Sequence, residues 1–286
     1  MATSGALSPI DTAYQTLETG THHLFESTEL AFLKNILGGF LISAGNLLAI
    51  SLAGGFPTLS EHNPGFTRLI QGLLFPIGLI IVYSLGGELY TGYPMWLAMT
   101  ALERKGRPMQ YVRAILSSLL GNFVGVIVWD AGLTYASQTF TDEPWRSQLI
   151  EKVDGDITHQ PWYVVFLRAI GCGFLVTVSM LLGTQNRDGI SKALGLHLPF
   201  FISIAAAFPH TVEYMSLGVL AMLNGAEMTV PLFLWKCQLP LILGNAVGGA
   251  FTGVYQWWVY IQRGDDTDRT EGRREWLTDG DGELRS

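Results

Sequence analysis

Charge is scarce in this chain. Only 14% of its 286 residues are Asp, Glu, Lys or Arg, against roughly 25% in soluble domains, which argues against an ordinary soluble protein. Cysteine is nearly absent. Cys172 and Cys237 both lie in apolar runs, where cysteine behaves as a small hydrophobe, and they offer no metal-binding spacing. No basic excess exists to meet a nucleic acid, since the formal net charge is −7. There is no Gly-rich phosphate loop, HExxH, CxxC or GxSxG elbow, so the chain reads as no enzyme, with no cofactor and no metal. The N-terminus lacks a basic stretch followed at once by an apolar one, so a first transmembrane helix is expected to act as the insertion signal.

What the chain has is apolar residues. They make up 49% of it, the mean hydropathy is +0.30, and long uncharged runs recur from Leu30 to Ile261. Three regions follow: a polar segment 1–29 expected on the cytoplasmic side, a transmembrane transport domain 30–261, and a polar tail 262–286 read as disordered and cytoplasmic. Four acids in the first segment and eight acids against five arginines in the tail account for the net charge. A bilayer core of about 30 Å needs about 20 apolar residues per helix. Six stretches qualify, near 30–54, 69–102, 111–137, 162–183, 193–223 and 232–261. The expected fold is therefore all-α and integral to the membrane, with six transmembrane helices. Asp130, toward the end of the third, is read as lying at the membrane interface.

Loop charges orient the set. Arg104, Lys105, Arg107 and Arg113 lie between spans two and three, Arg187 and Lys192 between four and five, and Arg263, Arg269, Arg273 and Arg274 after six. The loop after span three is mostly acidic. An excess of positive charge marks the cytoplasmic side, so both termini are placed there, in a multi-pass protein of the plasma membrane.

Two spans carry interruptions. Span two holds Gly86-Gly87-Glu88-Leu89-Tyr90-Thr91-Gly92, and span five holds Phe208-Pro209-His210-Thr211. Thr91 and His210 are 119 residues apart, and the following spans carry Gly121-Asn122 with Gly125 and Gly244-Asn245 with Gly248, 123 residues apart. The pattern is that of a duplicated unit with one broken helix per half, and such breaks mark a transporter's central site. Irregular backbone at membrane depth is tolerated only where protein or a water-filled cavity satisfies it, so the two breaks are expected to meet.

His210 is the leading candidate, since its imidazole donates, accepts and changes charge near neutral pH; the plainer role is a neutral cap on a proline kink. Thr91 offers a hydroxyl to a facing imidazole or small anion, or to its own helix backbone. Glu88 suits a helix N-terminal cap. Asn122 and Asn245 are expected to support the broken backbone or to stitch helices together, with Gly125, Gly248 and Gly249 allowing close packing. Phe75, Leu79 and Phe208 are apolar groups beside a polar centre and suggest constrictions, or plain packing.

Taken together, these ordered motifs resemble the formate/nitrite transporter family over nearly all of 30–261, with a flavour of its fungal nitrite branch. The resemblance implies an aquaporin-like inverted repeat with broken helices two and five, a homopentamer with one pore per subunit, and small monovalent weak-acid anions (nitrite or formate) moved with protons through the lipid bilayer. It also implies that His210 is the central histidine and Thr91 its facing threonine. Phe75, Leu79 and Tyr90 would form constrictions, and Asn122 and Asn245 would be the paired asparagines. Departures from the family pattern are Gly173 for an asparagine, Pro209 for a glutamate, Glu213 for a small residue, Tyr214 for an asparagine and Ser203 for an aromatic. The lysine usual at the outer entrance has no aligned partner, Lys152 being several residues too early.

The function expected is proton-linked passage of nitrite or formate. The rivals are a passive channel for ammonia, water or hydrogen sulfide, and a sensor or scaffold without transport.

Overall fold

The computed structural model of the chain describes residues 5–264. Ser8 starts the first helix: its side chain accepts from the Asp11 amide at 3.1 Å, and Pro9 fills the first turn, where no amide hydrogen is needed. This helix, α1 (Pro9–Phe25), lies inside the segment that composition marked only as polar. Ala13, Leu17, Gly20 and Leu24 recur at three- and four-residue steps and are buried, so α1 is amphipathic. Ser27 caps α2 (Thr28–Gly54) in the same manner.

Next come α3 (Pro57–His62), α4 (Pro64–Leu74) and α5 (Pro76–Ser84), the last two forming one apolar run jointed at Pro76. The first break follows, and then α6 (Tyr93–Leu102). The third span is α7 (Pro108–Ile127) continued by a π-helical stretch, Val128–Tyr135. A short amphipathic helix, α8 (Trp145–Val153), lies between spans three and four. The second half holds α9 (Trp162–Gln185), α10 (Gly189–Ala205), α11 (Thr211–Leu223), α12 (Val230–Leu232) and α13 (Leu239–Gln256).

Five of these runs are long and apolar enough to cross a bilayer: Thr28–Gly54, Pro64–Ser84, Pro108–Tyr135, Trp162–Gln185 and Val230–Gln262. With 17 and 13 residues, α10 and α11 measure about 25 and 20 Å, each short of a 30 Å core. They share the fifth crossing between them, and α6 extends the second beyond its break. The disordered tail expected from 262 lies, from 265 on, outside the described residues.

The duplication is legible in the packing. The α2–α7 pair and the α9–α13 pair use equivalent glycines. A Cβ at Gly121 would meet Asn35 and Phe32, and one at Gly244 would meet Ala169 and Phe166. One at Gly125 would meet Ile36 and Phe40, and one at Gly248 would meet Ile170 and Phe174. Each α2 residue named here therefore has its counterpart 134 residues later on α9. Gly39 against the Asn122 backbone and Gly173 against the Asn245 backbone complete the set. Gly173 thus has a packing reason: a larger side chain there would displace the backbone of α13.

The two breaks also end their first half-helices alike. Gly86 has φ 73° and Ala207 has φ 57°. The next amides, Gly87 and Phe208, donate back to Val82 and Ser203 at 2.9 Å each. This is the closing pattern of a helix that stops on a left-handed residue. Gly86 and Ala207 are 121 residues apart, as are Gly87 and Phe208. By that register His210 is the counterpart of Leu89, and Thr91 of Val212.

Asp130 is 1% exposed. Ser43 of α2 reaches it at 3.4 Å. Asn46, one turn along α2, donates to Ser216 at 3.0 Å and to the Glu213 carbonyl at 3.2 Å. A buried polar seam therefore joins spans one, three and five.

Candidate functional site: a buried threonine–histidine pair between two broken helices

Each break is held open by an asparagine. In the first half, Asn122 Oδ1 accepts from the Tyr90 amide at 2.8 Å, while its Nδ2 donates to the carbonyls of Glu88 and Asn35 at 2.8 Å each. In the second, Asn245 Oδ1 accepts from the Thr211 amide at 2.9 Å and from the Thr211 hydroxyl at 2.7 Å. Its Nδ2 donates to Ala169 at 2.7 Å and to Pro209 at 3.4 Å. One amide group in each half thus satisfies an amide and a carbonyl two residues apart. These are the backbone groups that a broken helix leaves unpaired.

The breaks bring Thr91 and His210 together. Thr91 Oγ1 lies 2.9 Å from His210 Nε2, and both side chains are fully buried. The other ring nitrogen, Nδ1, accepts from the Glu213 amide at 3.2 Å, and the Glu213 carboxylate takes the His210 amide at 3.4 Å. This reciprocal cap starts α11. Since Nδ1 receives a hydrogen bond, a neutral ring carries its proton on Nε2 and donates it to Thr91. Glu213, expected as a departure from the pattern of the family the chain resembles, has a role here: its amide and carboxylate hold His210 from three residues beyond.

Aromatic rings close around the pair. Phe75 lies 6.2 Å from the His210 ring, Phe200 lies 5.3 Å from it, and the two phenylalanines are 5.1 Å apart. Phe75, at the joint between α4 and α5, and Leu79, one turn on in α5, are each 1% exposed. Tyr90 is buried and its hydroxyl donates to the Ile242 carbonyl at 3.0 Å, which ties the first break to α13. Phe208 packs its ring over Gly171 of α9. The ring beside His210 in the second half is therefore Phe200, which the sequence reading passed over for Ser203, three residues on. Its signal was available, because Phe200, Ser203 and Ala207 share one helix face leading to the break.

Glu88 does not cap α6. Its carboxylate accepts from the Tyr93 hydroxyl and from Asn35 Nδ2 at 3.3 Å and pairs with Lys34 Nζ at 3.3 Å, while His23 Nδ1 lies 3.3 Å away without hydrogen-bond geometry. The first break is thereby tied to α1 and α2 rather than to the helix that follows it.

On the face carrying α8, a cavity of about 290 Å³ opens above Ile204 and Ala207, with Arg68, Gln71, Lys152 and Asp156 in its lining. Lys152 pairs with Asp156 at 3.0 Å, and the Tyr214 hydroxyl donates to the same carboxylate at 2.6 Å. Burial works against both charges, but each outweighs it for the other. Asp156 and Glu213 hold the Lys152 pKa above the usual lysine value, and Lys152 with the Tyr214 hydroxyl holds that of Asp156 below the usual carboxylate value. Lys152 thus stands in the lining of this cavity, its ammonium 5.7 Å from the ring of Tyr214 in the first turn of α11. Tyr214 anchors it there.

A model of the formate/nitrite transporter family matches residues 11–258. A probable formate transporter of Methanothermobacter thermautotrophicus is 29% identical over 80% of this chain and 88% of its own length. A formate channel of Haemophilus influenzae is 27% identical over 88% and 94%. An uncharacterized transporter of Saccharomyces cerevisiae is 27% identical over 87% of this chain but 39% of its own, longer sequence. Among solved structures, an ion channel of the same family superposes with a TM-score of 0.77 at 21% identity, covering 87% of this chain and 98% of that one. A pentameric formate channel with formate bound gives 0.71 at 23% identity, covering 82% and 98%. Both likenesses concern the fold.

Proposed function

This chain belongs to the formate/nitrite transporter family, a multi-pass membrane family of transporters and channels rather than enzymes, and we propose that it carries nitrite, formate or both across the plasma membrane, coupled to protons, through a pore centred on Thr91 and His210. The observation that carries the reading is the buried Thr91–His210 contact between two broken helices. Its surroundings support it. The anion would be drawn to Lys152 and Arg68 in the cavity mouth and then meet the Phe75 and Phe200 rings. A bare anion pays heavily for such apolar contact and its neutral acid far less, so transfer of a proton at this point lowers the barrier. The backbone amides at the start of α11 add partial positive charge beside the pore.

In this reading His210 relays that proton through Nε2 and the Thr91 hydroxyl, a role that their 2.9 Å contact supports. Net delivery requires Nδ1 to gain a proton as Nε2 gives one up, at the cost of the hydrogen bond from the Glu213 amide. That cap favours a second reading, a passive channel for a neutral solute such as ammonia, water or hydrogen sulfide, in which His210 stays neutral and only donates.

We place both termini in the cytoplasm, on the loop charges, and take the assembly to be a homopentamer with one pore per subunit; a formate channel of like fold is pentameric. Asn122, Asn245, Leu79 and Tyr90 support or narrow the pore, and Phe208 backs the second break. The fungal nitrite branch stays part of the proposal, since yeast and archaeal relatives at 27% and 29% identity do not separate the branches. The test is labelled nitrite and formate uptake into proteoliposomes, each competed by the other, across external pH. Saturable, mutually competitive uptake that rises as external pH falls supports proton-linked carriage. Swelling by water or ammonia without anion uptake supports the passive channel.

A further inference from the structure

Where α1 ends, two buried polar atoms make no hydrogen bond: Nδ1 of His23 and Oε2 of Glu26. They lie 4.0 Å apart. The exposed imidazole of His22 stands beside them, and one ligand-capable atom from each of the three side chains falls within 4.8 Å of the others. Helix spacing explains the convergence. Glu26 is four residues from His22 and three from His23, so both imidazoles stand over one carboxylate. His23 is held in place, its ring stacked on Trp96 at 4.4 Å and tilted against Tyr93 at 5.6 Å.

Two cations are nearby, and neither takes these atoms. Lys34 pairs with Oε1 of Glu26 and with Glu88. Arg113 holds the carbonyls of Leu24 and Glu26 at 2.9 and 3.0 Å.

We propose that His22, His23 and Glu26 form a binding site for a zinc-class transition-metal dication. The ligands are a His22 ring nitrogen, His23 Nδ1 and Glu26 Oε2. Two imidazoles and one carboxylate oxygen suit borderline ions such as Zn²⁺ and Co²⁺ and are a poor match for Mg²⁺ or Ca²⁺, which take oxygen. Bonds of about 2.0–2.2 Å set tetrahedral neighbours roughly 3.4 Å apart, so a small turn of Glu26 closes the His23–Glu26 pair. His22, being exposed, swings in, and water completes the shell. No standard spacing announces the site in the sequence: His-His-x-x-Glu becomes one only because Trp96 and Tyr93 orient His23. Glu88 lies 3.3 Å from His23 Nδ1 and three residues before Thr91, so a bound ion would pin α1 beneath the first break.

The experiment is titration of the purified full chain with Co²⁺ alone, read by its visible ligand-field bands, and with Zn²⁺ alone by calorimetry. The site predicts one saturable ion per chain with near-tetrahedral bands. His22→Ala should weaken binding at least roughly tenfold and change the bands, whereas His62→Ala and His159→Ala, at exposed positions elsewhere, should leave both intact. Absence of saturable binding overturns the proposal, as does binding that His22→Ala leaves unchanged. His22 is exposed, so that variant keeps the fold; Glu26→Gln should reproduce its effect.

Discussion

Thr91 Oγ1 and His210 Nε2 meet at 2.9 Å across two different helix breaks, although the two residues are not counterparts in the duplicated unit. The left-handed stops at Gly86 and Ala207 set the true register at 121 residues. That register pairs His210 with Leu89 and Thr91 with Val212. The contact therefore crosses the internal symmetry, and a titratable ring occurs on one side of it only. Because Nδ1 accepts from the Glu213 amide, the neutral ring donates through Nε2–H and the Thr91 hydroxyl accepts, which gives the contact a defined direction.

Thr91→Val removes the acceptor for Nε2–H with little change in shape. A buried donor left unpaired costs about 1–3 kcal/mol, so the melting temperature in detergent should fall. Uptake should fall with it. Thr91→Ser restores the hydroxyl and should recover both.

The asparagine clamps should be equivalent in the two halves. Asn122→Ala and Asn245→Ala each leave several buried backbone groups without partners, at about 1–3 kcal/mol for each group. Thermal unfolding of the purified variants should show large losses of similar size. A loss in only one half would contradict the matched roles assigned to them.

Ala207 sits at φ 57° where its counterpart is a glycine. A non-glycine residue in that conformation costs roughly 1–2 kcal/mol, so Ala207→Gly should raise stability slightly or leave it unchanged. Gly86→Ala, with nothing within 4 Å of its added Cβ, should lower it by about the same strain. Melting temperatures of the two variants check both signs.

Much of this was readable from composition and spacing. Six crossings, interruptions at Gly86–Gly92 and Phe208–Thr211, and asparagines supporting them all follow from apolar runs and from polar residues that a bilayer would not otherwise admit. What spacing could not yield depends on side chains from distant segments. Phe200 looks like any apolar residue of a membrane helix until α10 ends before the left-handed Ala207 and its face meets His210. Lys152 enters the lining of the cavity only because α8 carries it there. Glu88 reads as a cap from its neighbours, but His23, Lys34 and Asn35 claim it from other helices. Asp130, near a span's end in sequence, is buried because Ser43 and its neighbours pack across it.

Lys152 and Asp156 should tune entry rather than transfer. Lys152→Met should raise KM severalfold, for a charge contribution of about 1 kcal/mol, with kcat little changed. The Lys152 pKa is held high and that of Asp156 low. The pair's stabilisation is therefore complete between about pH 4 and 10, the ordinary values of the two groups. It is lost as pH falls through the lowered Asp156 pKa or rises through the raised Lys152 pKa. Concentration-dependent uptake by the variant, fitted at several pH values, should show a KM penalty that is constant across the neutral range.

The central claim is that the His210 ring handles the proton that accompanies the anion. Labelled nitrite and formate uptake by the wild-type chain and by His210→Asn, at matched membrane abundance over a range of external pH, tests it directly. The account predicts that wild-type uptake rises as external pH falls and that the variant's uptake is flat with pH. Uptake by His210→Asn that follows the wild-type pH profile would contradict it and leave His210 as a kink cap.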